Sequence, residues 1–456
     1  MTNSLPSLTI IGGGLAGCEA AWQAAQSGIR VELYEMRQSP PMYTTGAHRT
    51  DALAELVCSN SLGSNLPERA AGLLKQELRQ LGSLLMHCAD QAAVPSGTAL
   101  SVDRQEFSQL VTQAIESHPN IRVIRQLIAH IPSTPTIIAT GPLTHPALIS
   151  DIQQYTQTEN LFFFDAIAPI VTADSICMDI AYRASRYDRR EFEGDYINCP
   201  LNAAEYETFV NALCNAERIP LHAFEQQIES GVRAGSGQFF EGCLPIEVLA
   251  QRDPQALAFG PLRPVGLWNP HTRKRPHAVL QLRQDNQNGT QYNLVGCQTN
   301  LTIPEQQRVF RLVPGLQNAE FVRYGQMHRN TYIAAPNLLS PTLQFRTRPD
   351  LFFAGQIAGV EGYVGSIATG FLAGWNAARL LLGKTPLQFP PETMLGALCH
   401  AITHTPNETF QPIKANFGLL PMLESTPRSK TERSQAYTQR ALTSLHSFLS
   451  KLDETP

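Results

Sequence analysis

The stretch Leu8-Thr9-Ile10-Ile11-Gly12-Gly13-Gly14-Leu15-Ala16-Gly17-Cys18-Glu19-Ala20-Ala21 constrains the fold of this chain more than any other. An apolar run, a glycine cluster and an alanine-rich segment in direct succession predict strand, tight turn and helix. Gly12, Gly14 and Gly17 stand at G-x-G-x-x-G spacing. In that spacing the first glycine permits the turn, the second lets backbone approach a pyrophosphate, and the third lets helix and strand pack closely. The N–H groups that open the helix then face the anion. A second strand is predicted at Ile29-Arg30-Val31-Glu32-Leu33-Tyr34-Glu35. Glu35 ends it where a carboxylate can accept hydrogen bonds from a ribose. Gly12, Gly13, Gly14, Leu15, Ala16, Gly17 and Glu35 are therefore the candidate residues for a bound dinucleotide. This unit alone does not separate FAD from NAD(P).

The far end of the chain repeats the design. Asp350-Leu351-Phe352-Phe353-Ala354-Gly355-Gln356 reads as a buried strand running to a glycine corner that continues through Gly359, Gly362 and Gly365-Ser366. Ile367 to Leu382 is predicted helical. A second helix N-terminus thus points backbone donors at a ligand. In FAD enzymes of this architecture such a corner lies by the flavin ring, and a protein binding only NAD would not need it. The expected cofactor is FAD, with Gly355, Gln356, Gly365 and Ser366 as further candidate contacts. The fold class that follows is α/β: a FAD-binding, Rossmann-like domain of the glutathione-reductase type carrying an inserted α+β domain. From about Ala166 to Gly325 the β-α rhythm fades, so residues 1–165 and 326–456 are assigned to a discontinuous FAD-binding domain and 166–325 to the insert.

Between these anchors, Ala70 to Gly82 reads as an amphipathic helix and Val102 to Glu116 as another, opened by Asp103. Pro135 to Pro142 gives a short apolar strand ending in Ala139-Thr140-Gly141. After Pro390 the chain reads as largely helical, interrupted by a loop from Gln411 to Pro421. A chain of 456 residues with 43% hydrophobic and 16% charged residues fits an ordinary globular protein of two or three domains. No apolar run approaches the roughly 20 residues of a membrane span. Met1 to Pro6 lack a charged start followed by an apolar core, so a cytoplasmic location is expected.

Net charge is only −4, yet two stretches are basic. Leu262 to Gln284 holds Arg263, Arg273, Lys274, Arg275 and Arg283 without an acid. Gln306 to Pro349 holds Arg308, Arg311, Arg323, Arg329, Arg346 and Arg348 against Glu320 alone. Such patches can hold a phosphate backbone or simply be solvated faces with acids supplied from elsewhere in the fold.

The nine cysteines are odd in number, scattered, and never form C-x-x-C. That argues against a zinc ribbon, a vicinal redox pair and a secreted disulfide framework, and no metal site is indicated. Two have distinctive surroundings. Cys58 lies in the polar stretch Glu55 to Asn65, which has neither helical nor strand periodicity. Cys243 lies between Gly242 and a Leu-Pro pair, which places its thiol on a turn or strand end. Glu241 and Glu247 flank Cys243 within side-chain reach, and either could move protons or serve structure alone. Met327-His328-Arg329-Asn330-Thr331-Tyr332 could touch a phosphate or a ring.

Six motifs in order then carry a resemblance over nearly the whole chain. They are the Gly12–Gly17 fingerprint, Leu56 to Ser61, Phe240-Glu241-Gly242-Cys243-Leu244-Pro245, Met327 to Tyr332, Ala354 to Tyr363, and Asn416-Phe417-Gly418-Leu419-Leu420-Pro421. The set resembles the folate- and FAD-dependent tRNA (uracil-5-)-methyltransferase family, TrmFO. The resemblance implies that uridine 54 in the T-loop of tRNA is converted to 5-methyluridine. It implies carbon from 5,10-methylenetetrahydrofolate and reducing equivalents from NADPH or NADH through FAD. It also implies that Cys243 is the nucleophile toward uracil C6 and that Cys58 assists near the flavin. Carbon 5 of uracil is a poor nucleophile until a thiolate adds at C6 and makes an enolate, so the chemistry independently needs an activated cysteine. The nearest alternative is the sibling family similar to MnmG, which modifies the wobble uridine. Its second glycine corner reads more like Gly-Thr-Thr-Gly-Tyr-Glu-Glu, and its members extend further at the C-terminus. Gly359-Val360-Glu361-Gly362-Tyr363-Val364-Gly365 and an end at Pro456 favour the methyltransferase. A flavoprotein that binds tRNA without methylating it is the remaining alternative.

Overall fold

Strand β1 (Ser7–Ile11) runs into helix α1 (Leu15–Gln26), and strand β2 (Arg30–Glu35) returns parallel to β1 with Ser7 opposite Arg30 and Ile11 opposite Tyr34. The computed structural model describes residues 6–38, 45, 47–157, 161–187, 193–219, 244–407 and 410–453. Helix α1 forms because its buried positions are small. Ala16, Ala20, Ala21, Ala24 and Ala25 are all in the core, and alanine is the best helix former. Their size also lets the helix Tyr363–Leu381 come unusually close. A Cβ added at Gly370 would lie 2.3 Å from the Ala16 carbonyl oxygen, and one at Gly374 2.4 Å from that of Ala20.

Around this unit stands a six-stranded sheet in the order Gln344–Phe345, Arg348–Phe353, Thr136–Ile138, β1, β2, Ile121–Arg125. All its pairings are parallel except the antiparallel edge made by Gln344–Phe345. β1 and Thr136–Ile138 are neighbours at the point where the chain switches direction across the sheet. In open parallel sheets ligands bind beyond the carboxyl ends of the strands at such a point. Gly12, Thr140, Glu35 and Gly355 are all at that end.

A second six-stranded sheet is antiparallel throughout: Tyr182–Arg183, Tyr196–Leu201, Ala278–Gln284, Gln291–Leu294, Ile170–Thr172, Phe321–Arg323. It has its own buried cluster, including Phe209, Leu280, Leu282, Tyr292 and Phe310. The chain enters through Leu161–Ala166 and leaves through Met327–Tyr332. These two strands pair antiparallel, Met327 opposite Ala166 and Tyr332 opposite Leu161.

The expected helices form, with one adjustment. Val102 closes a strand, Ala99–Val102, instead of opening the next helix. Asp103 then caps Arg104–Ser117 by accepting from the N–H groups of Gln105 and Glu106. The C-terminal segment is tied to the first core by a buried acid. Glu77 accepts from the N–H groups of Met394 and Leu395 at 2.7 and 2.9 Å, which caps the helix Met394–His404 from outside. Burial pushes the Glu77 carboxyl up to about 7. Beyond Ser429 the chain forms the helix Lys430–Asp453.

Candidate active site

The three fingerprint glycines meet three different surroundings. Gly12 has φ +106° and turns the chain at the end of β1. A Cβ at Gly17 would sit 1.8 Å from the Gly12 carbonyl oxygen, so helix and strand touch there with no room for a side chain. A Cβ at Gly14 would meet nothing within 4 Å, and Gly14 lines a narrow cleft of about 70 Å³ with Gly12, Glu35, Thr140 and Leu143. The N-terminus of α1 has no side-chain cap, which leaves first-turn N–H groups for an anion. This donor set fits the pyrophosphate and ribose of a dinucleotide. The carboxylate of Glu35 also organises the loop itself. One oxygen accepts from the Gly13 N–H at 2.9 Å, and the other accepts from the backbone N–H and Nε of Arg37 at 2.8 and 3.0 Å. Burial acts to raise this carboxyl, but the Arg37 guanidinium and these donors outweigh it and hold it below the usual carboxylate range.

The second glycine corner packs directly on the first. A Cβ at Gly355 would lie 2.8 Å from the Ala16 Cβ, with Ser366 on its other side. Gln356, Gly365 and Ser366 line a larger cavity of about 330 Å³ together with Cys58, Tyr363 and Lys414. Leu143 borders both cavities, so the fingerprint cleft and the Cys58 cavity adjoin. Gly13, Leu15, Ala16, Gly17 and Gly355 line neither cavity. They support the walls that Gly12, Gly14, Glu35, Gln356, Gly365 and Ser366 form.

Cys58 sits in a loop, as its composition predicts, and the loop is bound on every side. The Cys58 N–H donates to the Tyr363 hydroxyl at 2.9 Å. Arg104 Nη1 donates to the carbonyls of Leu56 and Cys58 at 2.9 and 3.0 Å, while the rest of its fork pairs with Asp285. Arg323 Nη2 donates to the Val57 carbonyl at 2.7 Å. Arg283 donates to Asn60 Oδ1 and Ser59 Oγ at 2.8 and 2.7 Å. Asn60 completes the seam by donating to the carbonyls of Val102 and Gln284. Burial presses the Arg323 guanidinium down to about 10 and raises the Tyr363 phenol well above its ordinary value. A cysteine on a cavity wall, flanked by guanidinium groups, is in the setting that favours a reactive thiolate.

None of the described cysteines is in a disulfide. Cys18, Cys88, Cys199, Cys297 and Cys399 are buried, and burial raises each thiol. Cys243 and Glu241 lie outside the described residues. Glu247 has a structural partner set, accepting from the Thr299 hydroxyl at 2.8 Å and the Asn300 N–H at 2.7 Å. Asn330, in the strand Met327–Tyr332, reaches the Cys58 cavity.

The two basic stretches divide. Arg263, Arg273, Lys274 and Arg275 are exposed, but Arg283 and Arg323 are buried beside the Cys58 loop and belong to no surface patch. Arg308 pairs with Glu305 and Arg348 with Asp350, acids that adjoin them in sequence. The clamp residues Arg104, Asp285 and Tyr363 were not marked by any local motif.

The family model described as "Glucose inhibited division protein A" matches residues 7–385. The methylenetetrahydrofolate–tRNA-(uracil-5-)-methyltransferase TrmFO of Halalkalibacterium halodurans is 52% identical over 98% of this chain and 100% of its own length. The chain belongs to the TrmFO family. A second TrmFO relative, from Natranaerobius thermophilus, is 55% identical over 97% of this chain and 99% of its own. The solved structure of Aquifex aeolicus GidA in its form II crystal superposes with a TM-score of 0.68 at 16% identity, covering all of this chain and 77% of that one. That likeness concerns the fold, which TrmFO members and GidA share.

Proposed function

We propose that this chain methylates carbon 5 of uracil in tRNA, with 5,10-methylenetetrahydrofolate as carbon donor. The observation that carries the reading is the full-length identity with TrmFO enzymes. The cavity joining a dinucleotide fingerprint to Cys58 supports it. FAD, held by the two glycine corners, supplies the redox chemistry that turns a methylene unit into a methyl group, recharged by NADPH or NADH. The target is uridine 54 in the T-loop, and the setting is the cytoplasm.

In this reading Cys243 adds to uracil C6, which makes C5 nucleophilic. Cys58 assists from the wall shared with Tyr363 and Ser366, by handling the proton that C5 must lose. Ile246, three residues after Cys243, donates its N–H to the Gln298 carbonyl at 2.7 Å, and Gln298 lines the Cys58 cavity. That proximity supports a common site. Residues 166–325 form the inserted domain, a division supported by the separate buried cluster of the second sheet. Incubation of the flavin-loaded protein with undermodified tRNA, labelled methylenetetrahydrofolate and NADPH should place label in 5-methyluridine at position 54. Label at the wobble position, or none, would overturn the reading.

The exposed set Arg273, Lys274 and Arg275 is proposed as part of the tRNA surface. Replacing all three by Gln should reduce the slope of log affinity against log salt by about two, read by filter binding over a salt series. An unchanged slope would assign these charges to solvent.

A further inference from the structure

The Cys58 loop is held by a buried cation whose partners are all neutral. Arg283 is 8% exposed on the strand Ala278–Gln284, opposite Tyr196 on one neighbour and Asn293 on the other. It donates to Asn60 Oδ1 at 2.8 Å, Ser59 Oγ at 2.7 Å and Asn293 Oδ1 at 3.4 Å. Asp285, two residues on, gives both carboxylate oxygens to Arg104 instead. Among the described residues no carboxylate forms an ion pair with Arg283. A guanidinium stays charged at neutral pH, and burying it against neutral acceptors is costly unless a negative group lies nearby. The groups whose negative forms offset the burial of Arg283 are Tyr196, Asp285 and Cys58. Asp285 is already shared, and a tyrosine hydroxyl is neutral at pH 7. The Cys58 thiol is the remaining one.

We propose that Arg283 is a positioning residue for Cys58: it fixes the Ser59–Asn60 shoulder of the loop and supplies positive charge that favours the thiolate. The inference rests on the reading of Cys58 as a working thiol. The charged and titratable groups around Cys58 come from several elements. They are Arg104 with Asp285, Arg323 on Phe321–Arg323, Tyr363 on its helix, and Glu361 and Lys414 on the cavity wall. Arg104 and Arg323 each donate to loop carbonyls, so they would keep the backbone in place without Arg283. The contribution that Arg283 adds is the hold on the two side chains after Cys58, together with its charge.

The test uses the flavin-loaded full chain. Iodoacetamide alkylation of Cys58 is followed by peptide mass spectrometry as a function of pH, with flavin content as the check on folding. Arg283→Gln keeps a donor and removes the charge. It should slow alkylation at pH 7 about tenfold and move the midpoint of the profile up by about one pH unit. Arg283→Lys keeps the charge and loses the fork, so its midpoint should stay near that of the parent. Asp285→Asn removes a negative charge from the same neighbourhood and should move the midpoint down. An unchanged midpoint in Arg283→Gln overturns the proposal. If that variant loses its flavin, an unchanged midpoint in Asp285→Asn does so. Alkylation is measured without methyl transfer, so normal methylation by Cys58→Ala would remove the role of Cys58 in the reaction while the pH profile still judges the clamp.

Discussion

Gly14→Val should yield a folded, colourless protein. The would-be Cβ at Gly14 meets no atom within 4 Å, and Gly14 has φ −81°, a conformation open to any L residue. Nothing in the fold itself opposes a side chain there, so stability should stay within about 1 kcal/mol of the parent. The valine branches instead enter the cleft that Gly14 lines with Glu35 and Thr140. A pyrophosphate needs that space to reach the backbone N–H groups of α1. Flavin absorbance per protein should fall more than about tenfold, a loss of over about 1.4 kcal/mol in binding, while the urea midpoint hardly moves. Gly17→Val is the contrasting control. Its Cβ would lie 1.8 Å from the Gly12 carbonyl oxygen, and rigid overpacking of this kind costs about 1–3 kcal/mol or more. That variant should lose stability and flavin together. Full flavin occupancy in a folded Gly14→Val protein would move the dinucleotide away from the fingerprint.

The parts of this site that were legible in the sequence are those whose chemistry is local. The β1-α1-β2 unit announces itself because apolar run, glycine spacing and terminal acid lie within Leu8 to Glu35, and each glycine can be matched to a surrounding that requires it. The Cys58 loop was legible as a loop for the same reason, since Ser, Asn and Gly in short succession compete with regular structure. The clamp around it was not. Arg104 meets Asp285 across 181 positions of sequence, and Arg283 meets Asn60 across 223, so no window contains both partners. Arg283 also carried a misleading signal. In a run without acids it reads as surface charge, whereas every residue of Ala278–Gln284 is buried. Both faces of that strand are covered, so its sequence lacks the alternation that would have separated an inward arginine from an outward one. Composition reports that a charge exists; only the tertiary fold decides whether water reaches it.

Cys243→Ala should abolish methyl transfer while FAD remains bound. The argument is chemical before it is structural. Uracil C5 is a weak nucleophile, and addition of a thiolate at C6 is the step that converts it into an enolate carbon able to take up a one-carbon unit. An alanine has no lone pair to add, and removal of an enzyme's nucleophile typically costs at least about 10³-fold in turnover. Neither glycine corner contains Cys243. The cavity residues Gln356, Gly365 and Ser366 belong to the C-terminal part of the first sheet's fold, so the cofactor contacts should be untouched. The same variant separates the two thiols. If Cys58 assists instead of attacking, Cys58→Ala should retain measurable turnover under conditions where Cys243→Ala shows none, and its rate should rise with pH as hydroxide replaces the missing proton acceptor. Single-turnover assays with labelled methylenetetrahydrofolate and undermodified tRNA, run on both variants with flavin content matched, read the difference directly. Methylation at the parent rate by Cys243→Ala would take that thiol out of the reaction. Equal and complete loss in both variants would mean that the two thiols act as one unit.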